Sequence, residues 1–251
     1  MELLEASMRV RNFIHLLLVP TPSWLKVFLY RNLFKYRIEP GVRIGMSIIR
    51  VDDCFIGAGT RIGHFNYISS IKRLHIGSNA IIGVFNILLG GESVEIGDEA
   101  QIGRFNEINS IINPVSTGGS DPRLIVGKGA VITAWHKIDY TDRIIIGDST
   151  IIAGRHSCLW THNRQQVMPI EIGRNCYVGS GVQMVPGSTL GSYCVVGLGA
   201  VITKKFDADS SLIAGVPARV VKPLDEAART LVEFPTRPDL AGVAGASDLH
   251  G

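Results

Sequence analysis

The sequence predicts an all-β fold, a parallel β-helix, because its aliphatic side chains recur with a period of six residues. Over residues 172–202 an aliphatic side chain returns at every sixth position, at Ile172, Val178, Met184, Leu190, Val196 and Ile202. Upstream the same spacing comes in blocks of three that begin at Ile56, Ile76, Ile96, Val126 and Ile146, and the last block is Ile146, Ile152 and Cys158. A fixed period of this kind is typical of a solenoid, in which each hexapeptide forms one short strand and three strands form one triangular coil.

Small side chains occupy a second regular position, four residues after the aliphatic one. They are Thr60, Ala80, Ala100, Ala130, Thr150, Cys176, Cys194 and Ala200. This position would point inward beside a corner of the coil, where only a small side chain fits a closely packed interior. Cys176 and Cys194 would then stack one coil apart, and buried thiols are favoured over a disulfide.

Composition and charge narrow the class of protein. A net charge of +3, with the basic residues scattered along the repeats, argues against a nucleic-acid-binding protein. The four cysteines show no zinc-binding spacing, so no metal is expected. No cleavable signal sequence is evident, which predicts a cytoplasmic protein.

The two ends of the chain differ from the repeats. Phe13–Val19 and Trp24–Phe34 are apolar stretches separated by prolines and interspersed with basic residues. We expect residues 1–41 to form an amphipathic helical cap over the first coil. Such a basic, apolar segment could also lie on the inner face of an anionic membrane, since it is too short to span one. We expect the β-helix over residues 42–206 and a C-terminal extension over 207–251, with a short helix at Asp225–Glu233 and a loose tail after Phe234.

A column of polar side chains recurs two residues before the third aliphatic position of each coil, and a column of mostly aromatic ones precedes it. The first column is Asn66, Asn86, Asn106, His136 and His156, and the second is Phe65, Phe85, Phe105, Trp135 and Arg155. Stacked asparagines can bond to one another and stacked aromatic rings bury area, so we interpret both as structural ladders. The change from asparagine to histidine leaves a functional alternative open.

His162 is the candidate catalytic residue that the chemistry of the side chains suggests. It stands in a polar loop that leaves a predicted rigid coil, and an imidazole titrates near neutral pH, as a general base requires. A second insertion, Asn109–Leu124, is polar and rich in turn residues, and it is either a substrate loop or a passive bulge.

Three motifs between Ile146 and Leu224 are more specific than the repeat itself. They are Thr161-His162 followed by Ile172-Gly173, then Gly197-Leu198-Gly199-Ala200-Val201-Ile202-Thr203-Lys204, and finally Ala214-Gly215-Val216-Pro217-Ala218-Arg219-Val220. In this order and at this spacing, they resemble the hexapeptide-repeat acyltransferases, in particular the maltose, galactoside and nodulation-factor O-acetyltransferase group. The resemblance implies a left-handed β-helix, acetyl-coenzyme A as co-substrate and a homotrimer.

The resemblance also implies roles for individual residues. His162 matches the catalytic base, and the positions that match the coenzyme A path are Ser180, Gly197, Leu198, Thr203, Lys204 and Arg219. Leu198 stands where the family usually has alanine, so a bulkier side chain faces the acyl group. The family's substrate-orienting asparagine has no clear match in Thr133–His136, so acceptor recognition is expected to differ.

Together these inferences predict an acetyl-CoA-dependent O-acetyltransferase that acts by direct transfer on a sugar hydroxyl, within a surface polysaccharide or glycolipid precursor. The imidazole needs an orienting partner, and counting along the coils puts Asp142 opposite His162, with Asp139, His136, His156 and backbone carbonyls as alternatives. The candidate acceptor-side residues are Trp160, Asn163, His136 and His156. An N-acetyltransferase acting on an amino sugar, a xenobiotic acetyltransferase, a non-catalytic scaffold and a γ-carbonic anhydrase-like protein remain alternatives.

Overall fold

The computed structural model describes residues 13–110, 120–230 and 232–233. It is a left-handed parallel β-helix of about eight coils, which confirms the predicted fold class. Three sheets form the three faces of the triangular prism, and each coil contributes one strand to each sheet.

The strands are numbered along the chain. The first sheet contains β1 (Arg37–Ile38), β4 (Asp53–Ile56), β7 (Arg73–Ile76), β10 (Ser93–Ile96), β13 (Arg123–Val126), β16 (Ile144–Ile146), β19 (Ile170–Ile172), β22 (Thr189–Leu190) and β25 (Lys205–Phe206). The second sheet contains β2 (Arg43–Ile44), β5 (Arg61–Ile62), β8 (Ile81–Ile82), β11 (Gln101–Arg104), β14 (Val131–Ala134), β17 (Ile151–Ile152), β20 (Tyr177–Val178), β23 (Val195–Val196), β26 (Ser211–Gly215) and β27 (Ala218–Pro223). The third sheet contains β3 (Ile48–Arg50), β6 (Tyr67–Ser69), β9 (Ile87–Leu89), β12 (Glu107–Asn109), β15 (Lys137–Asp139), β18 (Cys158–Trp160), β21 (Gln183–Met184) and β24 (Val201–Ile202).

The core is a stack of inward-pointing side chains, one layer per coil. Ile56 pairs in register with Ile76, and Ile76 with Ile96, so identical side chains lie above one another along the axis. All the predicted small corner positions are buried, and the cysteines described, Cys176 and Cys194 among them, are free thiols. Each short parallel strand buries one of its two faces. This accounts for the six-residue period of the aliphatic side chains.

Close approach between coils explains why glycine recurs directly after the inward aliphatic residue. A Cβ atom added to Gly103, which follows Ile102 in β11, would lie 1.9 Å from the carbonyl oxygen of Thr133 in the next coil. No side chain can be accommodated at that distance, so this position requires glycine.

The register differs from the prediction at one point. Leu159, and not Cys158, points inward, because Ile138 pairs with Leu159 and Lys137 with Cys158. Seven residues separate Ile152 from Leu159, where the repeat has six, so one extra residue lies in the corner between them. The aliphatic assignment of Cys158 was therefore wrong by one position.

The polar column forms a hydrogen-bonded ladder inside one corner. The side-chain oxygen of Asn66 accepts a hydrogen bond of 2.9 Å from the backbone of Asn86, and Asn86 does the same for Asn106 at 3.0 Å. Asn106 in turn accepts from the backbone N–H of His136 at 3.0 Å. The next rung is Ser157, whose N–H donates to Nδ1 of His136 at 3.2 Å, so His156 was wrongly placed in this column.

The aromatic column stacks on the outside of the same corner. Adjacent ring centroids are 4.9 Å apart for Phe65 and Phe85, 5.1 Å for Phe85 and Phe105, and 4.4 Å for Phe105 and Trp135. The extra residue shifts this column too, and the backbone of His156, with a φ of 64°, takes the position expected for Arg155.

Two helices lie over the first coil. Helix α1 covers residues 13–18 and helix α2 covers Ser23–Leu33. Tyr30 of α2 is fully buried, and its hydroxyl accepts a hydrogen bond from the backbone N–H of Ile49 at 3.1 Å. The ammonium of Lys26 is buried between the carbonyl oxygens of Val19 and Gly45, so it joins the two helices to the solenoid.

At the other end, β26 and β27 form an antiparallel hairpin that follows the last coil. Helix α3 covers Glu226–Thr230, within the predicted Asp225–Glu233, and the predicted tail after Phe234 lies outside the described residues. Among the helices of the described ranges, none is long and apolar enough to cross a membrane.

Candidate active site

His162 lies in a short loop that leaves the third sheet after β18. The loop is closed by an antiparallel bridge between His162 and Val167, and by a hydrogen bond of 2.9 Å from the N–H of Met168 to the carbonyl oxygen of Thr161. Asn163 fixes the turn, since its side-chain oxygen accepts from the N–H groups of Gln165 and Gln166 at 2.7 and 3.0 Å. The imidazole is thus held on a constrained loop, with its side chain 28% exposed.

A buried carboxylate orients the imidazole. Nδ1 of His162 lies 3.0 Å from Oδ1 of Asp139, the last residue of β15, and the Asp139 side chain is only 4% exposed. A carboxylate can only accept, so Nδ1 carries the hydrogen, and in the neutral ring Nε2 is then left as the proton acceptor. This is the tautomer that a general base requires.

Thr161 and Thr141 hold the carboxylate in place. The N–H of Thr141 donates to Oδ1 of Asp139 at 3.1 Å. The hydroxyl of Thr161 lies 3.3 Å from the same Oδ1 and 2.9 Å from the Asp139 backbone carbonyl oxygen. Thr161 is completely buried. The contact by which Thr161 positions Asp139 was not predicted from the sequence. The only signal for it was a threonine directly before His162.

The expected pairing of Asp142 with His162 does not occur. Oδ1 of Asp142 instead accepts from the N–H of Asp121 at 3.1 Å and from that of Arg143 at 2.7 Å. The extra corner residue moves the register by one, but this alone does not align Asp139 with His162. Asp139 pairs in register with Trp160, and its side chain reaches the imidazole of His162 from that position, which counting in sixes could not predict. Asp139, which the sequence left as an alternative, lies beside the imidazole.

The candidate cofactor residues fall on two different corners of the prism. Thr203 and Lys204 are exposed and follow β24, so they lie on the same corner as His162, two coils further along. Two coils correspond to about 10 Å along the axis. The ring of Phe206 lies 5.4 Å from the Lys204 ammonium.

Ser180, Gly197 and Leu198 lie on the corner between the second and third sheets. The carbonyl oxygen of Ser180 accepts from the N–H of Gly199 at 2.8 Å, and Leu198 is 83% exposed on the same column. The third sheet separates this corner from His162, and a three-residue strand is about 10 Å long. A single chain therefore does not bring these three residues into contact with the imidazole.

Arg219 lies on β27, at the end of the second sheet, and its side chain is exposed. It pairs in register with Ala214. Its guanidinium can meet a phosphate group in solvent without the desolvation that a buried site would require.

The candidate acceptor-side residues are dispersed. Trp160 is 37% exposed on the outer face of the third sheet, with the Lys137 ammonium 5.8 Å from its ring. His156 is exposed at the opposite edge of that sheet. His136 is buried in the polar ladder, where no acceptor can reach it.

The environment of His136 favours its neutral form. Burial, and secondarily the nearby His156, lower the pKa of His136 from 6.5 to about 4. Nδ1 accepts from Ser157, and Nε2 lies 2.9 Å from the hydroxyl of Thr133, which donates to backbone carbonyls. Protonating Nδ1 would place two hydrogens between His136 and Ser157 and break this rung.

The described residues contain no candidate metal site. Within residues 13–110, 120–230 and 232–233, no group of three His, Cys, Asp or Glu side chains is arranged to hold a metal ion.

Comparison with known proteins gives one family match. Residues 169–204 match the model of the bacterial transferase hexapeptide family, which consists of six repeats. A comparison with curated protein sequences found no match.

Several solved structures were found to be similar to this chain. The polySia-specific acetyltransferase NeuO is 20% identical, with a TM-score of 0.45, over 75% of this chain and 86% of its own. A hexapeptide-repeat acetyltransferase from Vibrio cholerae O1 biovar eltor, crystallised with acetyl-coenzyme A, is 18% identical, with a TM-score of 0.35, over 88% and 89%. LpxA from Acinetobacter baumannii is 15% identical, with a TM-score of 0.45, over 86% and 80%. With such identities and TM-scores below 0.5, these similarities say nothing about the activity of this chain. The family match falls within the β-helix, on strands β19 to β24, so residues 169–204 are similar to the repeats of the bacterial hexapeptide transferases.

Proposed function

We propose that this protein is an acetyl-CoA-dependent O-acetyltransferase that acts on a sugar hydroxyl, with His162 as the general base. The observation that supports the proposal best is the contact between His162 and the buried Asp139, at 3.0 Å. It holds a half-buried imidazole in the tautomer that can take a proton, on the loop next to repeats of a transferase family.

The proposed chemistry is a direct transfer. Nε2 of His162 takes the proton of the acceptor hydroxyl as its oxygen attacks the thioester carbonyl carbon. The new C–O bond forms, the C–S bond breaks, and the proton passes from the imidazolium to the departing thiolate of coenzyme A. Asp139 stays ionised and stabilises the imidazolium that forms in between.

Lys204 and Arg219 are proposed to hold the cofactor, because both are exposed basic side chains and basic side chains bind phosphate groups. Thr203 and Lys204 share the corner of His162, which is the path that an extended cofactor would follow along the coils. Leu198, on the corner between the second and third sheets, would limit the size of the acyl group.

A homotrimer is proposed for a geometric reason. Ser180 and Leu198 are separated from His162 of the same chain by the third sheet. A neighbouring subunit could bring its own copy of that corner to the imidazole. Such an arrangement requires a closed ring of identical contacts. Analytical ultracentrifugation would measure the number of subunits in the ring.

The first experiment is isothermal titration of the protein with acetyl-coenzyme A, beside dephospho-coenzyme A. Binding that weakens without the 3′-phosphate supports the proposed basic contact. An absence of binding at millimolar cofactor would overturn the proposed activity and favour a scaffold.

Acetyl transfer is then measured as release of free thiol, with sugars and amino sugars as acceptors. Transfer only to amines would indicate an N-acetyltransferase acting on amino sugars or xenobiotics. We expect Asp139→Asn to lower kcat by about 10- to 100-fold, because the asparagine amide no longer selects the required tautomer.

Asp142→Asn is the discriminating comparison, since this carboxylate bonds only backbone N–H groups in the described structure. An equal loss of kcat in both variants, with unchanged folding, would contradict the role given to Asp139.

A further inference from the structure

The two N-terminal helices expose an unusually apolar surface, which we call the N-terminal apolar face. It consists of Phe13, Leu16, Leu17, Trp24, Phe28 and Leu33, each between 57% and 72% exposed. Large apolar side chains that lie together on a surface mark a site of interaction with a protein or a membrane.

The opposite side of the same helices is already used for packing. His15, Lys26 and Tyr30 are buried, and the ring of His15 stacks on Phe34 at 4.2 Å. Ser23, at the start of α2, accepts a hydrogen bond from the N–H of Ile44 at 2.9 Å. The solenoid therefore fixes how the helices are oriented, and the N-terminal apolar face points away from it.

The charged side chains of the segment that carries this face are basic, and the first acidic residue after it is Glu39. Between Phe13 and Ile38 the sequence contains four basic residues and no acidic one. Lys26 is buried, while Arg31 and Lys35 are exposed at the end of α2. Arg43 of β2, which lies against this helix, is exposed as well.

We propose that the N-terminal apolar face docks on an anionic lipid surface, with the axis of the β-helix standing on the membrane. Aromatic side chains such as Trp24 favour the interface between lipid and water, and exposed basic groups at the rim are attracted by anionic headgroups. A second copy of the chain fits this face less well, because two rims that each expose Arg31, Lys35 and Arg43 would repel each other.

Within the described residues, α1 (13–18) and α2 (Ser23–Leu33) are too short to cross a bilayer, so the proposed contact is peripheral. The inference does not depend on the proposed acetyl transfer, and the two are tested separately. It would nevertheless place the transferase beside lipid-linked acceptors.

The test is co-sedimentation of the full chain with vesicles of phosphatidylcholine that contain phosphatidylglycerol, and with vesicles of phosphatidylcholine alone. The variant is Trp24→Ser/Phe28→Ser. The matched control is Val220→Ser/Val221→Ser, which removes two exposed apolar side chains at the opposite end of the solenoid.

We expect the unmodified protein and the control to sediment with the anionic vesicles, and the Trp24/Phe28 variant to bind at least about tenfold more weakly. Binding should decrease with added salt, by about fivefold for each basic contact that is screened. Circular dichroism and urea unfolding establish that the variant is folded, as expected for exposed positions.

Three results would overturn the proposal. One is the absence of sedimentation with anionic vesicles, and another is equal binding by the Trp24/Phe28 variant and the control. The third is concentration-dependent self-association that the Trp24/Phe28 variant abolishes while lipid has no effect, because it would assign the face to a second copy of this chain.

Discussion

Replacing His136 with asparagine should remove a specific loss of stability in mild acid. His136 is 2% exposed and occupies a rung of the polar ladder between Asn106 and Ser157. Asparagine already fills this rung at Asn66, Asn86 and Asn106, so it is the side chain that the ladder accepts best. The substitution exchanges one ladder residue for another and removes only the titrating group.

The magnitude follows from the shift in pKa. His136 has a pKa of about 4 in the folded protein, compared with 6.5 for an unperturbed histidine. As pH falls from about 6.5 to about 4, the unfolded chain takes up a proton that the native protein does not, so the free energy of unfolding decreases. The full effect is about 3 kcal/mol, and about 2.5 kcal/mol of it develops between about pH 7.5 and pH 4.5.

Urea unfolding at these two pH values measures the effect. Protomer concentration is held constant, because assembly would make the midpoint depend on it. The pH-dependent change should be about 2.5 kcal/mol smaller in His136→Asn than in the unmodified protein. The difference between the two proteins cancels the contributions of the other titrating groups.

His75→Asn is the matched control, because His75 is exposed on the outer face of the first sheet. It should keep the pH dependence of the unmodified protein, since this substitution leaves His136 and the polar ladder unchanged. The same pH dependence in His136→Asn would refute the reasoning, and so would a resonance of His136 that titrates near pH 6.5 in the folded protein.

Three further predictions test the catalytic base, the cofactor contact and the packing of the coils. His162→Ala should lower kcat by about 10²- to 10⁴-fold with little change in the thermal midpoint, and retained turnover would remove His162 from the role of base. Arg219→Ala should raise the KM for acetyl-coenzyme A more than it lowers kcat, and an unchanged KM would exclude the proposed phosphate contact. Gly103→Ala should destabilise the protein by about 3 kcal/mol in urea unfolding, because its Cβ would lie 1.9 Å from the Thr133 oxygen. Unchanged stability there would mean that the coils can move apart.

The core could be predicted because the repeat depends on residues that are close to one another in the sequence. Each inward position depends on the count from the previous one, so Ile56, Ile76 and Ile96 were assigned without knowledge of any distant contact. The polar ladder was visible for the same reason, since its asparagines recur at the same spacing.

The candidate site was predicted less completely, because one inserted residue changes every position that follows it. The corner before Leu159 contains that residue, and no local signal tells which residue is extra. Counting therefore aligned Asp142 with His162 and placed His156 in the ladder. Ser157 occupies the ladder position, and Asp139, which pairs in register with Trp160, contacts His162 through its side chain.

The sequence by itself determined the β-helix, the small side chains at its corners and His162 as the candidate base, since all three depend on local spacing or on the chemistry of one side chain. Only the tertiary structure decided that Asp139 orients the imidazole and that the N-terminal helices leave an apolar face exposed. Those features depend on which coil lies against which, and stacking between coils tolerates an extra corner residue at little cost in free energy.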